Sequence, residues 1–347
     1  MEFEIYPGFM VYKNGYGPVF VSLHSGHAFG DVLGRDDNSD VIGVLCWKKY
    51  GGTLILSTIT RDRVFGIDFN RDIPPLDLAL EMYAKFDRKK LRDQFKKKYA
   101  FVAKNKTDYN KKLRIYNTFW SYVRNSGNFF IFIHRQYARL KNVPSLMDLI
   151  TFKDIGIKRT VLQKIVEEVN KSYKKFFKKI EKDFKKFLLL EEKRVIELGC
   201  KGCIEEDIKT ILPFCYKKRE KKQTMVLSKE KEFRKILENR ELLENISDPE
   251  NQREILNVFK EITKNLPKPC ITLEKIFSAE FAIGPIKQLV KSGDKIAIEI
   301  EINEFLSRFY PNTTSEIILD IVKKIKDVDI YKKLGFTQTQ ILRFIQE

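Results

Sequence analysis

The 347-residue chain contains only three histidines, His24, His27 and His134. Two of them form the segment His24-Ser25-Gly26-His27, directly after the apolar run Val19-Phe20-Val21-Ser22-Leu23. The third closes another apolar run, Phe129-Phe130-Ile131-Phe132-Ile133. Both runs are short, begin after turn residues, and are too continuously apolar for a surface helix, so they read as buried strands. In open α/β sheets, ligands gather at the carboxyl ends of strands. Neutral imidazoles suit zinc, and a catalytic zinc takes three protein ligands and keeps one position for water. Three histidines at predicted strand ends are therefore expected to make one metal site rather than three unrelated strand-end contacts.

Other residues have types suited to the same chemistry. Asp68-Phe69-Asn70-Arg71 follows Arg61 and Arg63. The guanidinium of Arg71 is a planar fork that matches a carboxylate with two hydrogen bonds, and Asn70 can donate beside it. The bland alternative is a surface ion pair. Glu301 sits late in Lys295-Ile296-Ala297-Ile298-Glu299-Ile300-Glu301-Ile302-Asn303, which alternates as a strand does. A general base for a metal-bound water needs such placement, although an exposed strand face is the ordinary reading. Glu299 shares its parity, so both stay open.

The elements that must position these groups follow from pattern. Thr53-Leu54-Ile55-Leu56-Ser57 is another apolar run. Between it and the first run, residues 40–50 place Val41, Val44 and Leu45 on one helical face. Strand, helix and strand in that order suggest a parallel βαβ unit. Residues 85–114 carry thirteen Lys or Arg and three Asp; a solvated helical face is favoured over a nucleic-acid groove. From about residue 160 to 266, apolar residues recur at helical spacing with almost no strand signal. Ser315 to Ile325 is expected to be helical.

Taken together, the motifs resemble the N-formylglutamate amidohydrolases, within the wider zinc carboxypeptidase and aspartoacylase-like group. Val21-Ser22-Leu23-His24-Ser25-Gly26 is similar to that family's strand and His-Ser-Gly, and Asp40 to its acidic motif. Thr60-Arg61 through Asp68-Phe69-Asn70-Arg71 is similar to its Ser-Arg and Asp-Leu-Asn-Arg segment. Phe132-Ile133-His134 resembles its second histidine strand, and Ile300-Glu301-Ile302-Asn303 its late Ile-Glu-Leu-Asn strand. The resemblance implies a zinc amidohydrolase that cuts an amide next to a free carboxylate, with one zinc per chain on His24 and His134. The third ligand is His27 first, with Asp37 or Asp40 behind it. It further implies Glu301 as base, Arg61 or Arg63 at the developing oxyanion, and Arg61, Asn70, Arg71 and Asn303 at the substrate.

The fold expected is a three-layer α/β mixed-sheet zinc-hydrolase domain made of residues 1–159 and 268–347. A lysine-rich helical insertion, residues 160–267, interrupts it. Lys and Arg number 65 against 47 Asp and Glu, a net charge of +18, which makes anionic substrates or acidic partners the ones to consider. A basic protein that binds nucleic acid or an acidic partner on an inherited hydrolase fold is the second reading. The 43% hydrophobic content supports a real core. The lack of any long apolar window excludes a membrane span. Met1-Glu2-Phe3-Glu4 lacks the order of a secretory signal, so a reducing cytoplasm is expected. Abundant Lys, Glu and Ile suggest a thermophile. Five cysteines do not make a disulfide framework, and Cys200, Cys203 and Cys215 are expected to be unpaired, partly buried thiols. Neither a dinucleotide fingerprint nor a P-loop is present.

Overall fold

The computed structural model describes residues 1–26, 35–211, 216–219, 222–225, 243–277, 284–291 and 295–327. The chain is α/β and divides into two compact units. One comprises residues 1–136, 147–169 and 272–347, and the other residues 137–146 and 170–271.

Ten strands are described: β1 (Glu2–Tyr6), β2 (Phe9–Asn14), β3 (Val19–Ser22), β4 (Gly52–Ser57), β5 (Phe129–Gln136), β6 (Ser145–Ile150), β7 (Tyr216–Arg219), β8 (Lys222–Met225), β9 (Cys270–Leu273) and β10 (Ile296–Asn303). Eight of them form one mixed sheet in the order β1-β2-β4-β3-β5-β10-β6-β9. The four central strands, β4, β3, β5 and β10, are mutually parallel. Antiparallel strands flank them, β2 on β4 and β6 on β10. The parallel βαβ unit is present, with α1 (Ser39–Tyr50) between β3 and β4.

Central parallel strands are covered on both faces, which explains their continuous apolar runs. In β5 every residue is buried. Strand β10 departs from its expected half-exposed character, because all but one of its residues are buried. Its register pairs Ala297 with Phe130, Glu299 with Phe132 and Glu301 with His134. Paired residues point to the same face of a sheet. One face therefore runs from apolar Val19, Val21, Phe130, Phe132 and Ala297, in a core with Phe119 and Trp120, to polar Glu299, Glu301 and His134. The alternation in β10 separates two buried faces, one of which carries the chemistry.

Helices α2 (Leu76–Ala84), α3 (Lys89–Lys98) and α4 (Lys106–Asn125) fill the chain between β4 and β5. Helix α4 buries Ile115, Tyr116, Phe119, Trp120 and Val123 at helical spacing. Helix α5 (Arg159–Ser172) follows β6. The second unit contains α6 (Lys174–Glu197), α7 (Lys201–Ile211), the β7–β8 hairpin and α8 (Pro249–Asn265). Its aromatic stripe is core: Phe177, Ile180, Phe184 and Phe187 are buried. Cys200 and Cys203 form a disulfide, which corrects the expectation of free thiols there; Cys215 lies outside the described residues. The remaining helices, α9 (Pro285–Lys291), α10 (Glu304–Phe309) and α11 (Pro311–Ile325), belong to the first unit. No helix among the described residues is long and apolar enough to cross a membrane.

Candidate metal centre

The chain leaving β3 makes a turn with little freedom. Ser25 Oγ donates to the carbonyls of Ser57 (2.7 Å) and Ser22 (3.2 Å). A Cβ at Gly26 would lie 2.0 Å from the Ile59 carbonyl oxygen, so no larger residue fits that approach. Ser-Gly thus seats His24 against the end of β4. His134 comes from within β5 rather than from the loop beyond it. The His24 and His134 rings meet edge to face, 4.8 Å between centroids.

Asp36 joins them. Its Oδ2 lies 3.2 Å from His24 Nδ1 and 3.1 Å from His134 Nδ1. One ligand atom from each of His24, Asp36 and His134 can be chosen so that all lie within 4.8 Å of one another, and all three residues are buried. Asp36 is tied into place by its backbone, whose N–H donates to the His24 carbonyl at 3.0 Å. Two imidazole nitrogens and one carboxylate oxygen form a donor set that suits a divalent metal such as zinc. These residues fit an ion.

His24 is held from behind. Its Nε2 is 2.9 Å from Asp68 Oδ1, which leaves Nδ1 facing Asp36. A carboxylate on the outer nitrogen fixes the tautomer and raises the basicity of the inner one. Asp68 itself is buried against Arg63, with Nη2 2.7 Å from Oδ2. Burial pushes the Asp68 carboxyl up, but the charges of Arg63, His24 and Arg71 outweigh it and hold the group well below the usual carboxylate range. The segment around Asp68 is pinned from α4: Trp120 Nε1 donates to the Phe69 carbonyl (3.0 Å) and Tyr116 Oη to that of Arg71 (2.6 Å).

The remaining carboxylates face His134. Burial raises the pKa of Glu301 to about 8; the charge of His134 opposes this, and Glu299, Asp36 and Asp148 reinforce it. For His134 burial acts downward, but Glu299, the hydrogen bond to Asp36 and Glu301 lift it to about 9. Asp36 is likewise pushed up by burial and pulled well below its ordinary value by His24, His134 and Arg61. Two buried atoms on this face, His134 Nε2 and Glu299 Oε2, have no hydrogen-bond partner among the described residues.

The expected site residues divide accordingly. His24, His134 and Glu301 come together on one sheet face. Arg61 reaches them, its Nη1 3.1 Å from His24 Nδ1 and 3.4 Å from Asp36 Oδ1. His27 lies outside the described residues. The acidic partner is Asp36 rather than Asp37 or Asp40: the Asp37 side chain is 60% exposed, and Asp40 accepts from Arg35 Nη2 at 2.9 Å. Arg63 is buried and occupied, donating to the carbonyls of Tyr99, Arg61 and Lys96 as well as pairing with Asp68. It is a scaffold for Asp68 rather than a group at the reacting atoms. Asn303 is fully buried, and its side chain caps α10 by accepting from the Phe305 N–H at 3.0 Å; its assignment to substrate is replaced by a capping role. Asn70 is buried beside Asp68, whose Oδ1 accepts its backbone N–H. Arg71 donates Nη1 to the Asn70 carbonyl and Nε to that of Lys96, and it lines a cleft of roughly 250 Å3 with Arg61, Asp62, Lys96 and Lys97. Sequence reasoning missed Asp36, which its neighbours do not distinguish. It also left Asp68 without a role, although a carboxylate just upstream of the Asn-Arg pair is a fair signal for a histidine partner.

No family model and no curated protein matches the chain. Among solved structures, the gene product Atu2144 from Agrobacterium tumefaciens is similar over 95% of this chain and 96% of that chain, with 8% identity and a TM-score of 0.46. A likeness this slight carries no functional assignment.

Proposed function

We propose that the chain is a zinc-dependent amidohydrolase that cleaves an N-acyl amino acid or a similar small amide bearing a free carboxylate. The observation that carries this reading is the buried convergence of His24 Nδ1, His134 Nδ1 and Asp36 Oδ2, with Asp68 behind His24. On this reading the mixed sheet is a zinc-hydrolase-type domain, and the helical unit is an insertion in it. When bound, the metal supplies Lewis-acid polarisation of the scissile carbonyl and lowers the pKa of a water. His24, Asp36 and His134 hold the ion, and Asp68 keeps the His24 proton on Nε2 so that the Nδ1 lone pair is available. Glu301, paired in register with His134, takes a proton and returns it to the leaving amine. Arg61 offers a guanidinium to the developing oxyanion. In the cationic cleft, Arg71, whose Nε and Nη1 already donate to the Lys96 and Asn70 carbonyls, would meet the substrate carboxylate through its remaining guanidinium N–H groups.

The test is a panel of N-acyl amino acids and their carboxamide analogues, assayed with zinc-loaded wild type and Arg71→Lys. Wild type should prefer the free acids. An ammonium cannot reproduce the fork, so the variant should lose about thirty- to a thousand-fold in kcat/KM on them, as for about 2–4 kcal/mol of transition-state binding. Zinc content should be unchanged. Equal hydrolysis of both series by wild type would remove the carboxylate clamp and the substrate class with it.

A further inference from the structure

Helix α3 and the start of α4 present cations with no ion-pair partner among the described residues. Lys89, Lys90, Lys97, Lys104, Lys106 and Lys111 are exposed. Among the described residues, the ion pairs of Lys85, Arg92 and Lys112 in this stretch involve none of these six. Self-repulsion at this density works against the folded state. The helix dipole explains only part of the pattern. Lysines in the last turn of α3 meet its negative end, but Lys89 and Lys90 stand at its positive end, and the first turn contains no acidic residue. Nor is α3 a core element, since Phe95 is its only buried residue. What anchors it is its carboxyl end: the Lys96 carbonyl accepts from Arg63 Nη2 (2.8 Å) and Arg71 Nε (3.3 Å). That same end, through Lys96 and Lys97, lines the cleft of Arg61 and Arg71. The cationic face and the cleft are continuous.

We propose that this face binds a polyanionic polypeptide, an extended run of carboxylate side chains, whose end enters the Arg61–Arg71 cleft. That the bound chain is a substrate rests on the hydrolase reading; that it binds does not. The dimensions agree: a ten-residue helix such as α3 is about 15 Å long, and an extended pentapeptide spans about 17 Å. Single-stranded nucleic acid is the competing anion, but such strands are held largely by stacking on aromatic side chains. Between the start of α3 and the start of α4 no ring offers a platform: Phe95 is buried, the Tyr99 ring has Lys98 Nζ over it, and Tyr109 is half-buried with its hydroxyl donating to the Pro74 carbonyl; the exposed rings of Phe65 and Tyr83 lie in the β4–α2 loop and on α2. A polycarboxylate needs only ammonium and guanidinium groups, which this face supplies.

The test uses the full chain and fluorescein-labelled pentaglutamate, read by anisotropy, with pentaglutamine and a thymidine pentanucleotide as comparison probes. Pentaglutamate should bind at least about tenfold tighter than pentaglutamine, and should weaken by about tenfold between 50 and 300 mM salt as screening shortens. Lys89→Glu/Lys90→Glu/Lys104→Glu should lose about thirtyfold or more, and the neutral Lys89→Gln/Lys90→Gln/Lys104→Gln a smaller factor. Circular dichroism and melting of both variants separate loss of binding from loss of fold. Equal binding of pentaglutamate and pentaglutamine, or the same affinity in both variants as in wild type, overturns the proposal. So does tighter binding of the pentanucleotide, which would assign the face to nucleic acid. Such a failure leaves hydrolysis of short N-acyl amino acids untouched, whereas binding of pentaglutamate without its hydrolysis would keep this face as a binding site and remove only the claim that the bound chain is a substrate.

Discussion

Asp68→Asn tests the support behind the metal ligands without changing side-chain volume. The carboxylate of Asp68 does three jobs: it accepts from His24 Nε2 (2.9 Å), accepts from the Asn70 N–H (2.9 Å), and neutralises buried Arg63 (2.7 Å). An amide has one acceptor oxygen, so it can serve only one side. If its NH2 group faces Arg63, a cation only 6% exposed is left opposite a donor. If the NH2 faces His24, it requires Nε2 as acceptor, which moves the imidazole proton to Nδ1 and blocks the metal-facing lone pair. Breaking a buried pair by removing one charge costs about 3–5 kcal/mol. In a unit of this size each kcal/mol is worth about 2–4 °C, so the metal-free variant should melt roughly 6–20 °C below wild type. Zinc affinity should fall about ten- to a hundred-fold, as for loss of a carboxylate behind a histidine ligand. Thermal denaturation in chelator gives the first quantity, and competition with a chromogenic chelator gives the second. A variant that melts with wild type and binds zinc as tightly would show that Asp68 neither carries the buried pair nor orients His24.

Two further outcomes follow from other parts of the molecule. Gly26→Ala should destabilise by about 2–4 kcal/mol and release the metal, because a Cβ 2.0 Å from the Ile59 carbonyl forces the backbone beside His24 to move; melting within a degree or two of wild type would refute the tight seat. In the second unit, Arg139 lies between buried Glu192 and Asp207, and burial together with the charge of Asp207 raises the Glu192 carboxyl to about 8. The folded state then holds a proton that the unfolded chain releases above the ordinary carboxylate range, so this unit loses stability as pH rises from about 4.5 to 8, by at most about 1.4 kcal/mol per unit. Glu192→Gln should flatten that slope in denaturant titrations, and an unchanged slope would place the proton elsewhere.

How far the molecule could be read from its residues depended on the kind of signal each part carries. Strands β3, β4 and β5 are continuous apolar runs between turn residues, so they and the βαβ unit were legible. The antiparallel pair β1 and β2 was not, because Glu2, Glu4 and Lys13 interrupt the apolar pattern and β2 joins the rest of the sheet only through its long-range pairing with β4. Strand β10 was found as a strand but expected to be half-exposed; only the register with β5 shows that Glu299 and Glu301 face a buried histidine. Of the site, His24 and His134 were found because histidine is rare here and both fall near strand ends. Asp36 was not, since Arg35-Asp36-Asp37-Asn38 offers two adjacent carboxylates and only the return of the chain to the His24 carbonyl selects the first. Arg63 and Asn303 were given chemistry, but each has its hydrogen-bonding groups spent on holding a neighbour. Type and position in the sequence do not reveal that commitment.

The claim that the buried His24–Asp36–His134 group holds a metal is tested most directly by elemental analysis. Wild type, Asp36→Ala, and the double variant His24→Ala/His134→Ala, each dialysed against zinc and then against metal-free buffer, should be compared. About one zinc per chain is expected in wild type and none in either variant, with circular dichroism showing all three folded. Wild type without bound metal, or a double variant that still retains one zinc per chain, would contradict the claim.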